Sequence, residues 1–200
     1  LAAAQLLPDN PDKLVRRFWE HSIMVSLLAY TLAEESRFTQ KGAASIAGLF
    51  HDIGKLSLIT AFPREYAEVV RAVEGGSGTF QSIEEDVLGI DHCGSGYMQA
   101  ENWKLTREYS AVISMHHAKE MPQGFPDDWT AMIDVVKVAD DLAAFSGAGY
   151  KRAVDLKDVP CQRLGLDTGV MHDILWRTND MYEEYWKVLL GGTGDADSEA

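Results

Sequence analysis

The apolar positions Val15, Phe18, Val25, Leu28, Ala29 and Leu32 recur at spacings of three and four, which predicts an amphipathic helix over residues 14–35. His21 lies within that stripe. A second helix is predicted over about 41–53, followed by the apolar run 56–62. Pro63 suits the first residue of a further helix reaching Val73, and the cluster Gly75, Gly76 and Gly78 ends it. Ser82 with Glu85 three residues later reads as a capping box, placing a helix from about Ile83. Helical patterns return at 93–103, 106–118 and 129–145, separated by polar, glycine- or proline-containing segments such as 121–126. After the break at 147–149, a loop with Pro160 and Gly165 leads to a last helix over about 170–190. The helix is expected to pack as a lid on the core; its aromatic residues Trp176, Tyr182, Tyr185 and Trp186 read as core, with a partner or dimer surface as the alternative. No period-2 strand and no internal repeat is evident, so the expected fold class is all-α.

Composition narrows the picture. A chain of 200 residues that is 46% hydrophobic can bury one sizeable core, which favours a single domain over residues 1–190. The glycine-rich and acidic segment 191–200 has too little apolar surface to offset its ordering entropy and is expected to be disordered. With 18 basic and 31 acidic residues the net charge is −13, a field that repels nucleic acid and anionic membrane surfaces. Cys93 and Cys161 form no CxxC pattern and are expected to be core thiols in a reducing compartment. The most apolar early stretch, 22–33, is about half of the roughly 20 residues a membrane span requires, so a cytoplasmic location is expected. The first residue is leucine rather than methionine, which leaves open that the chain is a piece of a longer multidomain protein.

The sharpest chemical feature is Gly48-Leu49-Phe50-His51-Asp52-Ile53-Gly54-Lys55, with a histidine and an aspartate side by side in an apolar context. Its company raises its weight: His21 upstream, and Asp140 downstream after Val135, Val136 and Val138. A carboxylate among buried valines is costly to desolvate, so Asp140 must be paired, protonated or bound to a cation. Imidazole and carboxylate together suit divalent Fe, Mn, Zn or Ni. A second set comprises His92 and the adjacent pair His116 and His117, which reach one ion together only if the helix ends there or the metals lie between them. Taken singly, a histidine of this kind is more often a hydrogen-bonded core or surface residue than a ligand, and Asp140 suits a structural salt bridge equally well, with its neighbour Asp141 facing solvent. Lys55 follows His51 by four residues. It reads either as a cation aimed at a phosphate oxygen or as a solvated lysine in the last turn of a helix.

The order His21, His51-Asp52, Asp140 resembles the HD superfamily of metal-dependent phosphohydrolases. The finer resemblance is to the HDOD domains of bacterial signalling proteins. It rests on Phe18-Trp19-Glu20-His21-Ser22, residues 47–55, Phe62-Pro63-Arg64-Glu65-Tyr66, the stretch 84–92, His116-His117 and Val138-Ala139-Asp140, covering roughly residues 14–145. The resemblance implies a helical bundle in which His21, His51, Asp52 and Asp140 hold one metal. Asp52 would bridge to a second metal held by His92, His116 and His117. The more distant HD-GYP phosphodiesterases carry His-His-Glu, Asp-Gly and Gly-Tyr-Pro. This chain has His116-His117-Ala118-Lys119 and Gly124-Phe125-Pro126 instead, and Arg17 where some relatives place a glutamate for a third metal. HDOD domains also carry several helices before the histidine-bearing one, and only twenty residues precede His21 here.

The expected function is therefore hydrolysis of a phosphate ester, a nucleotide or cyclic dinucleotide, by a two-metal site in a bacterial signalling protein, with Asp52 and Lys55 as catalytic residues. A second expectation, from another class, is a regulatory output module that holds metal or nucleotide and contacts a signalling partner or an upstream receiver domain. A third is a structural helical domain whose histidines are incidental.

Overall fold

A computed structural model of the protein describes residues 11–150, 152, 154–156 and 159–189, with side chains through Trp186. The described residues form α1 (Pro11–Glu35), α2 (Lys41–Phe50), α3 (Ile53–Ala61), α4 (Pro63–Glu74), α5 (Phe80–Leu88), α6 (His92–Asn102), α7 (Arg107–Met115), α8 (Asp127–Ser146), a 3-10 turn (Cys161–Leu164) and α9 (Thr168–Leu189). Among them there is no strand, as the hydrophobic periodicity predicts. The expected tail at 191–200 lies outside the described residues.

α1 is the central element. Its apolar stripe serves two neighbouring cores. Leu14 and Phe18 pack with α3, α4 and Tyr150, whereas Met24, Val25, Leu28, Ala29 and Leu32 pack with α2, α8 and the start of α9. His21 sits at the junction of the two. Cys93 and Cys161 are buried free thiols, as expected.

Helix boundaries differ from the sequence expectation at informative points. The helix expected over 41–53 ends at Phe50: His51 keeps helical angles as its C-cap, and Asp52 leaves helical geometry at φ −102°, ψ 14°, making a joint between α2 and α3. The following apolar run is itself a helix, α3. The capping box also lies earlier than expected. Ser82 N–H donates to the Thr79 hydroxyl at 3.2 Å and Thr79 N–H donates to the Ser82 hydroxyl at 3.1 Å, so the pair is Thr79–Ser82 and α5 begins at Phe80. The helix expected to reach Ala118 stops at Met115, leaving His116 and His117 just beyond its end.

Two glycines set the closest helix approaches. A Cβ on Gly54 would stand 1.9 Å from the His92 carbonyl oxygen and 2.6 Å from Gly96 N, so α3 crosses α6 backbone against backbone. A Cβ on Gly48 would meet the Val25 carbonyl at 2.9 Å, which draws α2 onto α1.

α9 covers part of the core. Met171, Ile174 and Thr178 are buried, and the helix packs along α1, where Arg177 pairs with Glu35 at 2.5 Å. Of its aromatic residues, Tyr182 packs against the core, whereas Trp176 is 75% and Tyr185 55% exposed, so the aromatic stripe is core only in part. Aromatic residues at helical spacing mark a face, and only part of this face finds a partner.

Candidate metal centre

Five separate elements deliver the ionisable residues to one place. His21 comes from mid-α1, and His51 and Asp52 from the joint between α2 and α3. His92 is the first residue of α6, capped by the Asp91 carboxylate, which accepts from Gly94 N–H at 2.8 Å. His116 and His117 follow α7, and Asp140 lies in α8 among the fully buried Val135, Val136 and Val138. All seven residues named from the sequence converge. They form two groups: Asp52, His92, His116 and His117, and His21, His51 and Asp140. Within each, one donor atom per residue lies within 4.8 Å of the others.

Asp52 stands between the groups. Its Oδ1 is 3.4 Å from His92 Nε2 and 3.6 Å from His116 Nε2, while its Oδ2 is 3.4 Å from His51 Nε2 and 3.6 Å from His21 Nε2. Asp140 Oδ1 lies 3.0 Å from His21 Nε2 and 3.8 Å from His51 Nε2.

The outward atoms of the site are satisfied by protein. His51 Nδ1 faces the Gly48 carbonyl at 2.7 Å and His116 Nδ1 faces the Ile113 carbonyl at 3.1 Å, contacts that place the ring proton on Nδ1 and leave the Nε2 lone pair inward. His92 Nδ1 lies 2.5 Å from Glu84 Oε2, which also accepts from His92 N–H at 2.8 Å. Tyr66 donates its hydroxyl proton to the other Glu84 oxygen at 2.7 Å. Lys55 donates to Asp52 Oδ2 at 2.6 Å, with its ammonium 4.1 Å from the Phe80 ring centre, and Arg152 Nη2 reaches both Asp140 Oδ2 at 3.0 Å and Asp141 Oδ1 at 2.7 Å.

The inward atoms are not satisfied. His21 Nε2, His51 Nε2, His92 Nε2, His116 Nε2 and Asp52 Oδ1 are buried without a hydrogen-bond partner. Buried polar atoms are paired in more than about 90% of cases, so a cluster of unpaired ones facing a common centre fits a cation.

The electrostatics of three of the histidines agree with ligand chemistry. Burial holds His21 below its ordinary pKa, brings His116 down to about 4 and puts His117 well below its usual value, which keeps these rings in the neutral, coordinating form. Burial also acts against charge on His92, but the Glu84 carboxylate, with help from Asp52, raises that ring to about 10. Burial opposes ionisation of Asp52 and Asp140. Interaction with His51 and Lys55 around the first, and with Arg152 and His21 around the second, holds both well below the carboxylate range. Asp141 is pushed up to about 6 by burial and by Asp140, against the pull of Arg152.

Lys55 is buried in the first turn of α3, not solvated in a last turn. It contacts Asp52 and does not line the neighbouring cleft. That cleft, about 550 Å³, runs along His117, Lys119, Asp141, Arg152, Thr79 and Phe80. Sequence reasoning missed three contributors: Glu84, Tyr66 and Arg152. Glu84 and Tyr66 lie in segments that carry the family resemblance, but neither has a spacing that signals a partner. Arg152 sits in a loop with no periodicity.

A family model of the HDOD domain matches residues 2–119, more than half of the chain, and spans every site residue except Asp140 and Arg152. No curated protein matches. Among solved structures, an HDOD domain protein of unknown function from Geobacter sulfurreducens is 23% identical with a TM-score of 0.70, over 88% of this chain and 66% of that one. A MmoQ response regulator from Methylococcus capsulatus is 19% identical with a TM-score of 0.59, over 80% of this chain and 60% of that one. A protein from Shewanella amazonensis named as a candidate phosphohydrolase is 20% identical with a TM-score of 0.57, over 84% and 60%. This chain thus spans less than two thirds of each of these structures. At such identities the likeness establishes the helical fold, and the match along the sequence establishes the family: the chain belongs to the HDOD family.

Proposed function

We propose that this HDOD domain is a metal-dependent phosphohydrolase or phosphodiesterase of a bacterial signalling protein, acting on a nucleotide or cyclic dinucleotide phosphate ester. The observation that carries the reading is the position of Asp52, one oxygen toward each of two histidine groups whose inward nitrogens have no protein partner. His21, His51, Asp52 and Asp140 would hold one divalent ion, and Asp52, His92, His116 and His117 a second, of Fe, Mn, Zn or Ni type. Bound there, such ions supply Lewis acidity toward a phosphoryl oxygen and toward water. Lys55 holds the bridging carboxylate in place through its bond to Oδ2 and neutralises part of its charge. Arg152, Lys119 and His117 present basic groups to the adjacent cleft, where the phosphate ester would lie.

The test is elemental analysis of protein purified without chelators, in parallel with Asp52→Ala, followed by turnover of bis(4-nitrophenyl) phosphate and a panel of nucleotides and cyclic dinucleotides. About two equivalents of metal, with turnover, both lost in Asp52→Ala, is the expected result. Folded protein that takes up no metal and turns over none of these esters refutes it.

One observation favours a second reading, a regulatory module that contacts a signalling partner or a receiver domain without catalysis. Lys55 and Arg152 already neutralise Asp52 and Asp140 from the protein side, so the fold does not require a metal to offset those charges. Metal binding without turnover, together with partner binding lost on changing surface residues remote from His51, would favour this reading.

A further inference from the structure

The two histidine groups are built differently, and the difference centres on a residue outside both. In the His92 group the ring is held by a three-member chain. Tyr66 donates to Glu84 at 2.7 Å, and Glu84 takes both the backbone N–H of His92 at 2.8 Å and its ring Nδ1 at 2.5 Å. All three residues are fully buried, so the chain is shielded from competing water. The carboxylate grips the ring and the backbone of one residue at once, fixing the position of α6 and the rotation of the ring. His116 in the same group is held by two backbone carbonyls. The oxygen of Asp52 on this side, Oδ1, carries no hydrogen bond.

The other group has less of this support. His51 Nδ1 faces the Gly48 carbonyl at 2.7 Å, but the outer nitrogen of His21, Nδ1, has no hydrogen-bond partner. Its carboxylates are also already engaged by cations, Asp140 Oδ2 by Arg152 at 3.0 Å and the Asp52 oxygen on that side by Lys55 at 2.6 Å. A ring that must be ordered on binding, and carboxylates whose charge is partly spent, both weaken a site for a dication.

We propose that Glu84 is a positioning residue for His92 and that it makes the two metal positions unequal: the group of Asp52, His92, His116 and His117 fills first and tightly, and the group of His21, His51 and Asp140 fills second and weakly. The inference rests on the two-metal reading above. Glu84 acts through His92, by holding Nε2 toward the centre and keeping the ring proton on Nδ1. Loss of an outer partner of this kind weakens metal affinity by roughly 10- to 100-fold.

The experiment is titration of chelator-treated full chain with cobalt(II), followed by calorimetry and by the visible absorption of the bound ion. The expected unaltered protein shows two steps; His92→Ala removes the tighter and His21→Ala the weaker. Glu84→Ala weakens the tighter step by roughly 10- to 100-fold and leaves the weaker in place. Glu84→Gln, which retains an acceptor for the His92 protons, recovers part of the loss. Should Glu84→Ala fail to fold, Tyr66→Phe supplies the same test more gently, with a several-fold loss confined to the tighter step. Two steps that respond equally to Glu84→Gln and Tyr66→Phe, or respond to neither, overturn the role of Glu84. A tighter step removed by His21→Ala instead overturns the order. Absence of any cobalt uptake by the unaltered protein removes the two-metal reading itself, an outcome distinct from uptake that ignores Glu84.

Discussion

Replacement of Gly54 by alanine sets two effects of opposite sign against each other. In an ordinary helix interior alanine is favoured over glycine by about 1 kcal/mol, through lower chain entropy in the unfolded state. At Gly54 the new methyl would stand 1.9 Å from the His92 carbonyl oxygen, 2.6 Å from Gly96 N and 2.8 Å from the His92 carbonyl carbon, all backbone atoms that have no rotamer to retreat into. Relief requires α3 and α6 to part by on the order of 1.5 Å, and overpacking of this kind costs about 3 kcal/mol or more. The steric cost exceeds the propensity gain, so Gly54→Ala is expected to lose about 2 kcal/mol net, a fall of about 4–8 °C in Tm for a chain of this size. The same parting draws His92 away from Asp52, so metal content should fall with stability. Thermal unfolding followed by circular dichroism, with Gly42→Ala as control, reads both signs, since a Cβ at Gly42 meets nothing within 4 Å. A Gly54→Ala protein as stable as the unaltered one, with unchanged metal content, would refute the account of the α3–α6 crossing.

Other expectations follow from the same geometry. Chelation of metal-loaded protein should lower Tm, because a ligand held by the native state at about 100 times its Kd contributes about 2.7 kcal/mol, and an unchanged Tm would mean that no metal supports the fold. Tyr66→Phe leaves a buried Glu84 oxygen without its donor and should cost about 1–3 kcal/mol in denaturant unfolding. The Tyr66 phenol is raised well above 10 by burial and by Glu84, so above pH 10 the unfolded chain binds fewer protons than the native one and stability falls as pH rises; Tyr66→Phe should show a shallower alkaline decline. Lys55→Met strips the cation from buried Asp52 and should cost about 3–5 kcal/mol in the metal-free protein but less once metal is loaded, so the Tm gain on loading should exceed that of the unaltered chain.

Much of this molecule was legible in the sequence because its signals were periodic or chemical. The stripe from Val15 to Leu32 predicts α1, and the residues resembling an HD ligand set do meet in space, since buried histidines and aspartates on apolar faces have few places to go. The joint at His51 and Asp52 was not legible. The apolar pattern runs through it without interruption, and only the tertiary demand on those two side chains breaks the helix. The capping box was misplaced by three residues because Ser82 can serve as cap or as third residue, and only the chain path after Gly78 decides which. The aromatic face of α9 was misread because periodicity records amphipathicity without stating that a partner is present. Glu84 and Arg152 were beyond reach for a further reason: a carboxylate that grips a histidine eight residues on, or a loop guanidinium that bridges two adjacent aspartates, depends on distances that sequence spacing does not encode.

The pattern of satisfied and unsatisfied atoms bears on whether these histidines are incidental. A purely structural ion-pair network gains by closing every hydrogen bond, since each buried polar atom left open costs about 1–3 kcal/mol. Here the closure is one-sided. Lys55 takes Asp52 Oδ2, Arg152 takes the outer oxygen of Asp140, Glu84 takes the outer nitrogen of His92, and backbone carbonyls take the outer nitrogens of His51 and His116. The inner nitrogens of the same rings, with Asp52 Oδ1, remain open and point toward one another. Rotating the His51, His92 or His116 ring to close an inner bond would break an outer one, so the protein is arranged to present the open face and to bear its cost. For these four atoms that cost is about 4–12 kcal/mol, comparable to the whole stability of an ordinary domain, about 5–15 kcal/mol. The asymmetry therefore weighs against incidental histidines and in favour of a cation at the centre, whether the domain then hydrolyses a phosphate ester or only reports that the cation is held.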